Sequence, residues 1–188
     1  AKTKIDVVNY ADWVLLHLFA DAEDWPVKNA YAAVNAVSGD GRYRFSVWDQ
    51  EISFDKYSWN RYNATGTGMR PFQRLRRNED FQMLFADRAY KHLHDDGALT
   101  VAQAADTFLG IQGQIDKAII AESARWGDVQ ASTPYGDTAS TSRNIDNDSY
   151  PPTINSPIYF TREQHWLVEQ ENVVTNYLPT LHDPNDSR

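Results

Sequence analysis

Between residues 5 and 20 apolar side chains fall on nearly every face of a helical wheel, in "IDVVNYADWVLLHLFA", and Thr3 or Asp6 is placed to cap the first turn. The pattern predicts a helix buried on most sides, ended by "DAEDWP". Residues 29–37 ("NAYAAVNAV") and 42–50 ("RYRFSVWDQ") alternate around the Gly- and Asp-rich "SGDG", which predicts a β-hairpin. Segment 53–71 is aromatic and polar without a period and reads as ordered loop. Asn78, Glu79 and Asp80 start a helix over 79–94 with Gly97 after its end. Thr100 and Gln103 form a capping box for a helix from 101 to about 125, closed by Gly127. Thr161 and Gln164 repeat that spacing before a last helix over 162–178, ended by Pro179. From 127 to 158 the chain is dense in Ser, Thr, Asp, Asn, Gly and Pro and reads as a long polar loop, and the tail "LHDPNDSR" is expected to fray.

These elements predict a mostly helical α+β fold with one hairpin, and 188 residues suffice for a single domain over 1–188. Hydrophobic residues make up 41% and there are six Trp, so the material for a core is present. A net charge of −8 argues against nucleic acid as a partner, since a phosphate-backbone binder needs a continuous basic surface. The best apolar run, "WVLLHLFA", is too short for a membrane span and is interrupted by His17. Without cysteine there is no disulfide or thiolate metal site.

Acidic and amide residues gather where the hairpin should open. In "DWPVKN", Asp24 and Asn29 stand five positions apart, and "WDQE" carries Asp49 and Glu51 at the end of the second strand. A three-residue loop with Gly41 in the left-handed position would set Asn29 opposite Glu51 and Tyr31 opposite Asp49. A two-residue loop would put Asn29 and Asp49 on opposite faces. Asp24 precedes the Trp25–Pro26 pair, which keeps the chain extended into the same mouth. Two carboxylates and an amide oxygen make a hard, oxygen-only site of the kind that takes Mg²⁺ with phosphates. An Asp, an Asn five residues later and an Asp beyond a hairpin are the working parts of phosphoryl transfer.

The stretches "NYADWVLLHLFADAEDWPVKNAY", "RFSVWDQEISF", "FADRAYKHLHDDGALT", "IIAESARWGD" and "YFTREQHWLVEQ" resemble, in order and over most of the chain, the CotH family of atypical bacterial kinases related to spore-coat proteins. The resemblance implies a protein-kinase-like C-lobe half, with Asp24 as catalytic aspartate, Asn29 and Asp49 as ligands of Mg²⁺ or Mn²⁺, and Glu51 as an acidic neighbour able to join the metal. It implies ATP as cofactor, a Ser/Thr-bearing protein as acceptor, and a secreted, cell-surface or spore-coat setting in a bacterium. It also implies a nucleotide-cradling lobe, with a phosphate-facing lysine, before the first helix. Only four residues precede Ile5, and Lys2 and Lys4 lie too near the start to stand in, so the chain is expected to be the C-terminal portion of such a kinase and its activity to depend on that lobe.

Plainer readings stand beside these. Asp24 also fits a helix-end turn, and Asp49 and Glu51 fit a solvated strand end. Trp25 and Trp48 read as packing walls around the site. Arg70, Arg74, Arg76 and Arg77 either receive an anion or form a solvated face. His17 reads as a hydrogen-bonded core residue, and His92 and His94, two apart on a helix, as a poor metal pair. Two other functions compete: a non-catalytic surface or coat module binding proteins or glycans through 53–72 and the polar loop, and a metal-assisted or two-carboxylate hydrolase.

Overall fold

A computed structural model describes residues 4–23, 25–37, 39–54, 61–132 and 161–181, with the side chains of 127–132 left aside. The fold is α+β and mostly helical, with one two-stranded antiparallel hairpin. Its elements are α1 (Val7–Phe19), β1 (Tyr31–Ala33), β2 (Arg44–Ser46), a 3₁₀ turn (Arg61–Asn63), α2 (Arg70–Leu75), α3 (Glu79–Leu93) and α4 (Val101–Ser132). A last helical run joins a π-helical turn (Arg162–Trp166), α5 (Leu167–Asn172), a second π-helical turn (Val173–Tyr177) and α6 (Leu178–Thr180). Within the stretch 1–188 that the sequence reads as one domain, contacts divide the chain into two compact units, Ala1–Ala105 with Tyr177–Arg188, and Asp106–Asn176.

The first unit is built on α1. Asp6 caps it by accepting from Asn9 N at 3.2 Å, and six of its thirteen residues are buried, as the all-round apolar pattern requires. Tyr10, Ala11, Trp13 and Val14 enter one core with Ala22, Trp25, Met69, Phe72 and Phe81. Phe72 packs its ring 6.1 Å from Phe81 and 5.1 Å from Phe85, which brings α2 against α3. Asn78 caps α3 by accepting from Phe81 N at 3.1 Å. Arg88 on α3 reaches back with two 2.6 Å bonds to the two carboxylate oxygens of Asp12, a fork that fixes the α1–α3 joint.

The hairpin is shorter than the alternation predicts. Tyr31 faces Ser46, Ala32 faces Phe45 and Ala33 faces Arg44, three pairs in all. Tyr31 therefore does not face Asp49, and the expected register with Asn29 opposite Glu51 is corrected. The connection is long rather than tight, because Asp40 organises it: its carboxylate accepts from Arg42 N at 3.0 Å and from the guanidinium groups of Arg42 and Arg44. Those bonds hold the Asp40 carboxyl down at about 2. Gly41 does take the left-handed conformation, with φ of 69°.

Three pairs do not make a stable ribbon in water. Here α1 serves as the missing strand. Asn9 donates from Nδ2 to Phe45 O at 3.1 Å and accepts from Phe45 N at 2.6 Å, while Trp13 Nε1 donates to Ser46 O at 3.1 Å. Residues 4–6 add backbone bonds to Tyr43 at 2.8 and 3.0 Å. The outer edge of β2 is thus satisfied by a helix and its leader.

Three helix expectations need correction. Segment 53–71 is not loop throughout, since Arg61–Asn63 and the start of α2 fall in it. α4 runs through Gly127 to Ser132, because one glycine costs a long helix only about 1 kcal/mol. Pro179 does not end the last helix, which continues to Thr180; the preceding π-helical turn shifts the hydrogen-bond register so that the missing N–H falls at the start of α6. Thr161 caps that run by accepting from Gln164 N at 3.2 Å. In the second unit Arg162 Nε donates to Asp116 on α4 at 2.8 Å. The remainder of the polar segment 127–158 and the tail 182–188 lie outside the described residues.

Candidate functional site

The site segments are placed by the end of α1. Glu23 N donates to Ile52 O at 3.0 Å and Phe54 N to Ala20 O at 2.8 Å, so residues 20–23 run alongside 52–54 and draw the outgoing arm of the hairpin beside the acidic turn. Asp24 itself lies outside the described residues. Its neighbour Trp25 is fully buried, edge-on to Trp13 at 5.1 Å and 4.8 Å from the His17 ring. His17, also buried, bonds through Nδ1 to Trp13 O at 2.7 Å, and burial pushes its pKa down, so it sits in the core as a neutral imidazole donating from Nδ1.

Two glycines close over the turn. Gly68 N donates to Pro26 O at 3.2 Å. A Cβ added at Gly66 would lie 1.6 Å from Pro26 O, and one at Gly68 would lie 2.9 Å from the Trp13 ring. The segment is held from beneath by Tyr10, whose buried hydroxyl donates to Gly68 O at 2.8 Å and accepts from Phe72 N at 2.9 Å. Burial pushes the Tyr10 phenol well above its ordinary pKa, so the hydroxyl keeps its proton.

Asn29 and Asp49 meet across the open end of the hairpin. Asn29 Nδ2 donates to the Asp49 carbonyl oxygen at 3.2 Å. Both residues are left-handed, with φ of 53° and 56°, a conformation that Asn and Asp tolerate better than other side chains. Asp21 at 46° and Phe54 at 59° share it, so four of the five non-glycine residues with positive φ among those described lie on segments 21–29 and 49–54. For non-glycine residues this conformation costs up to about 1–3 kcal/mol, least for Asp and Asn.

Of the sequence-derived residues, Asn29 and Asp49 are brought together, Glu51 is exposed two residues further on, and Asp24 is outside the described set. Among the described residues no group of three or more His, Asp or Glu side chains is placed to hold a metal ion, and the bond that joins Asn29 to Asp49 uses the Asp49 backbone rather than its carboxylate. Trp25 is a packing wall, whereas Trp48 is not: it is 62% exposed, tilted against Tyr31 at 6.2 Å. His92 engages Asp12 and Arg88, and His94 stacks on Tyr90 at 4.7 Å, so the two histidines point to different partners. No family model, curated protein or solved structure matches the chain. Among the described residues no helix is long and apolar enough to cross a membrane.

Sequence reasoning missed the parts that hold the turn. Gly66 and Gly68 sit in a stretch without periodicity, and Tyr10 reads as one more core aromatic. The spacing G-x-G following a polar aromatic loop was the available signal for close backbone approach.

Proposed function

We propose that the chain is the metal-binding portion of a CotH-like protein kinase, transferring a phosphoryl group from ATP to a Ser or Thr hydroxyl. The observation that carries the reading is the 3.2 Å bond from the Asn29 side chain to the Asp49 backbone, between two residues both held left-handed. Asn29 and Asp49 would hold the divalent cation through carboxamide and carboxylate oxygens, and Glu51, two residues beyond Asp49, would add negative charge. When bound, the cation neutralises and orients the nucleotide phosphates. Asp24, between Glu23 tied to Ile52 and Trp25 anchored in the core, orients the acceptor hydroxyl and accepts its proton. Buried, neutral His17 and Trp25 form a rigid floor and contribute no charge to the reaction.

The test reads the metal site directly. Mn²⁺ titrated into the chain and followed by electron paramagnetic resonance should show one site displaced by Mg²⁺, and Asp49→Asn should weaken it at least about tenfold, the low end of what losing even a hydrogen-bonding partner of a metal ligand costs. Circular dichroism should be unchanged, because Asp49 is exposed. Undiminished Mn²⁺ affinity in Asp49→Asn would overturn the assignment. In the wild type, calorimetric heat with ATP and Mg²⁺ that a chelator abolishes separates this reading from a non-catalytic binding module.

A further inference from the structure

Arg70, Arg74, Arg76 and Arg77 put four guanidinium groups into eight residues of a chain whose net charge is −8. The fold gives them different employment. Arg76 is used internally, 4.8 Å over the Tyr62 ring and donating from Nη1 to Tyr62 O at 3.3 Å and Asn63 Oδ1 at 2.9 Å. Arg70 and Arg74 lie one turn apart on α2 and, with Thr65, Pro71 and Gln73, line an open cleft of about 680 Å³. Gln73 fixes the wall of that cleft by donating from Nε2 to Tyr62 O at 2.9 Å and Ala64 O at 2.8 Å. Among the described residues neither Arg70 nor Arg74 has a carboxylate within ion-pair distance, although Arg42, Arg44, Arg88 and Arg162 all do.

The cleft abuts the acidic turn through backbone. Thr65 precedes Gly66, whose Cα presses on the Pro26 carbonyl, and Gly66 O accepts from Met69 N at 3.0 Å and Arg70 N at 3.1 Å. Pro26, Gly66 and the first turn of α2 are thereby one rigid path. Whatever anion the cleft holds is thereby tied through backbone to the Pro26 segment.

We propose that Arg70 and Arg74 bind an anionic side chain of the acceptor polypeptide, a carboxylate or a phosphoserine, and so select acceptors whose hydroxyl lies a few residues from an acidic group. The proposal rests on the phosphoryl-transfer reading for the identity of the acceptor. Paired guanidinium forks suit carboxylate and phosphate oxygens. Both side chains are exposed, which screens the attraction and fits a contact that must release its product. The nucleotide phosphates, by contrast, belong beside Asn29 and Asp49 on the hairpin.

Fluorescence anisotropy with labelled serine peptides of equal length decides the matter. Peptides flanked by Asp and Glu, or by phosphoserine, should bind the chain at least about tenfold more tightly than Gln- or Lys-flanked ones, the scale of a charge-assisted hydrogen-bond pair; the ratio of the first two names the anion. Arg70→Gln with Arg74→Gln should reduce both to the Gln-flanked level, with circular dichroism confirming the fold, and Arg77→Gln should leave them unchanged. Equal binding of acidic and basic peptides, or an equal loss in Arg77→Gln, would overturn the proposal. So would a double variant that loses calorimetric ATP affinity while keeping its peptide. Peptide selectivity alongside an absent Mn²⁺ site would sink the kinase reading and leave the cleft standing.

Discussion

Replacing Gly66 by Ala should be among the most damaging single-methyl changes available to this fold. Gly66 does not have a positive φ, so its glycine is required for space alone. An added Cβ would sit 1.6 Å from Pro26 O, 2.1 Å from Pro26 C and 2.6 Å from Val27 N, all backbone atoms with no rotamer to retreat into. Overpacking of this kind costs about 1–3 kcal/mol, and separating the segments far enough also breaks the Gly68 N to Pro26 O bond at about 1 kcal/mol. The sum, about 2–4 kcal/mol, is a large share of a domain's usual 5–15 kcal/mol. With a urea slope of roughly 1.5 kcal/mol per molar, the midpoint should fall by about 2 M. Tryptophan fluorescence reports it, because Trp13 and Trp25 are core residues of the same unit. Gly68→Ala is the graded control: its nearest neighbour is the Trp13 ring at 2.9 Å, which can tilt, so the loss should be about 1–2 kcal/mol. Gly110→Ala, mid-helix with nothing within 4 Å, should raise helix stability by about 1 kcal/mol. A Gly66→Ala midpoint equal to that of the wild type would refute the claim that the acidic turn is clamped by close backbone approach.

Tyr10→Phe removes one hydroxyl and leaves Gly68 O and Phe72 N both without their buried partner, so it should cost about 2 kcal/mol or more in urea while circular dichroism keeps its helical signal. Stability should also fall with acid. His17 has a folded pKa below its unfolded 6.5, so its contribution is full above pH 6.5 and is lost as pH falls below it, where the unfolded chain takes up the proton that the core refuses. Urea midpoints between pH 8 and 5 should show that decline, and His17→Gln should lessen it, leaving the share of His165, whose pKa burial also lowers.

Element identity was largely legible because it depends on local pattern. Asp6, Asn78 and Thr161 each cap the helix that their spacing announces, and the apolar run 5–20 buries as a helix should. What stayed hidden depends on partners distant in sequence. Whether Trp25 or Trp48 is a wall is decided by His17 and Trp13 for the first and by open solvent for the second. The four arginines look alike in sequence, and only Tyr62 and Asn63 separate Arg76 from the pair on the cleft. The pairing of Asn29 with Asp49 was legible as a meeting, but not the register that produces it.

That register has a physical reason, and it bears on the site. A turn dictates strand pairing only where the loop is short; here Asp40 and its two arginines span a longer connection, which leaves the pairing free to be set elsewhere. Asn9 sets it. By spending both backbone groups of Phe45 on its own amide, it makes Ala32 and Phe45 a pair without backbone bonds to each other and so fixes which residues of β2 turn toward β1. Trp13 repeats the grip at Ser46, one residue on. The arm leaving β2 must then reach Ala20 and Glu23 at the end of the same helix within eight residues, from Ser46 to Phe54, and the left-handed turns at Asp49 and Phe54 are the bends that let it. One helix therefore aligns the hairpin with Asn9 and Trp13, anchors the turn through His17, and receives the returning arm at its C-terminus. The positions of Asn29 and Asp49 are consequences of α1, more than of the sheet that carries them.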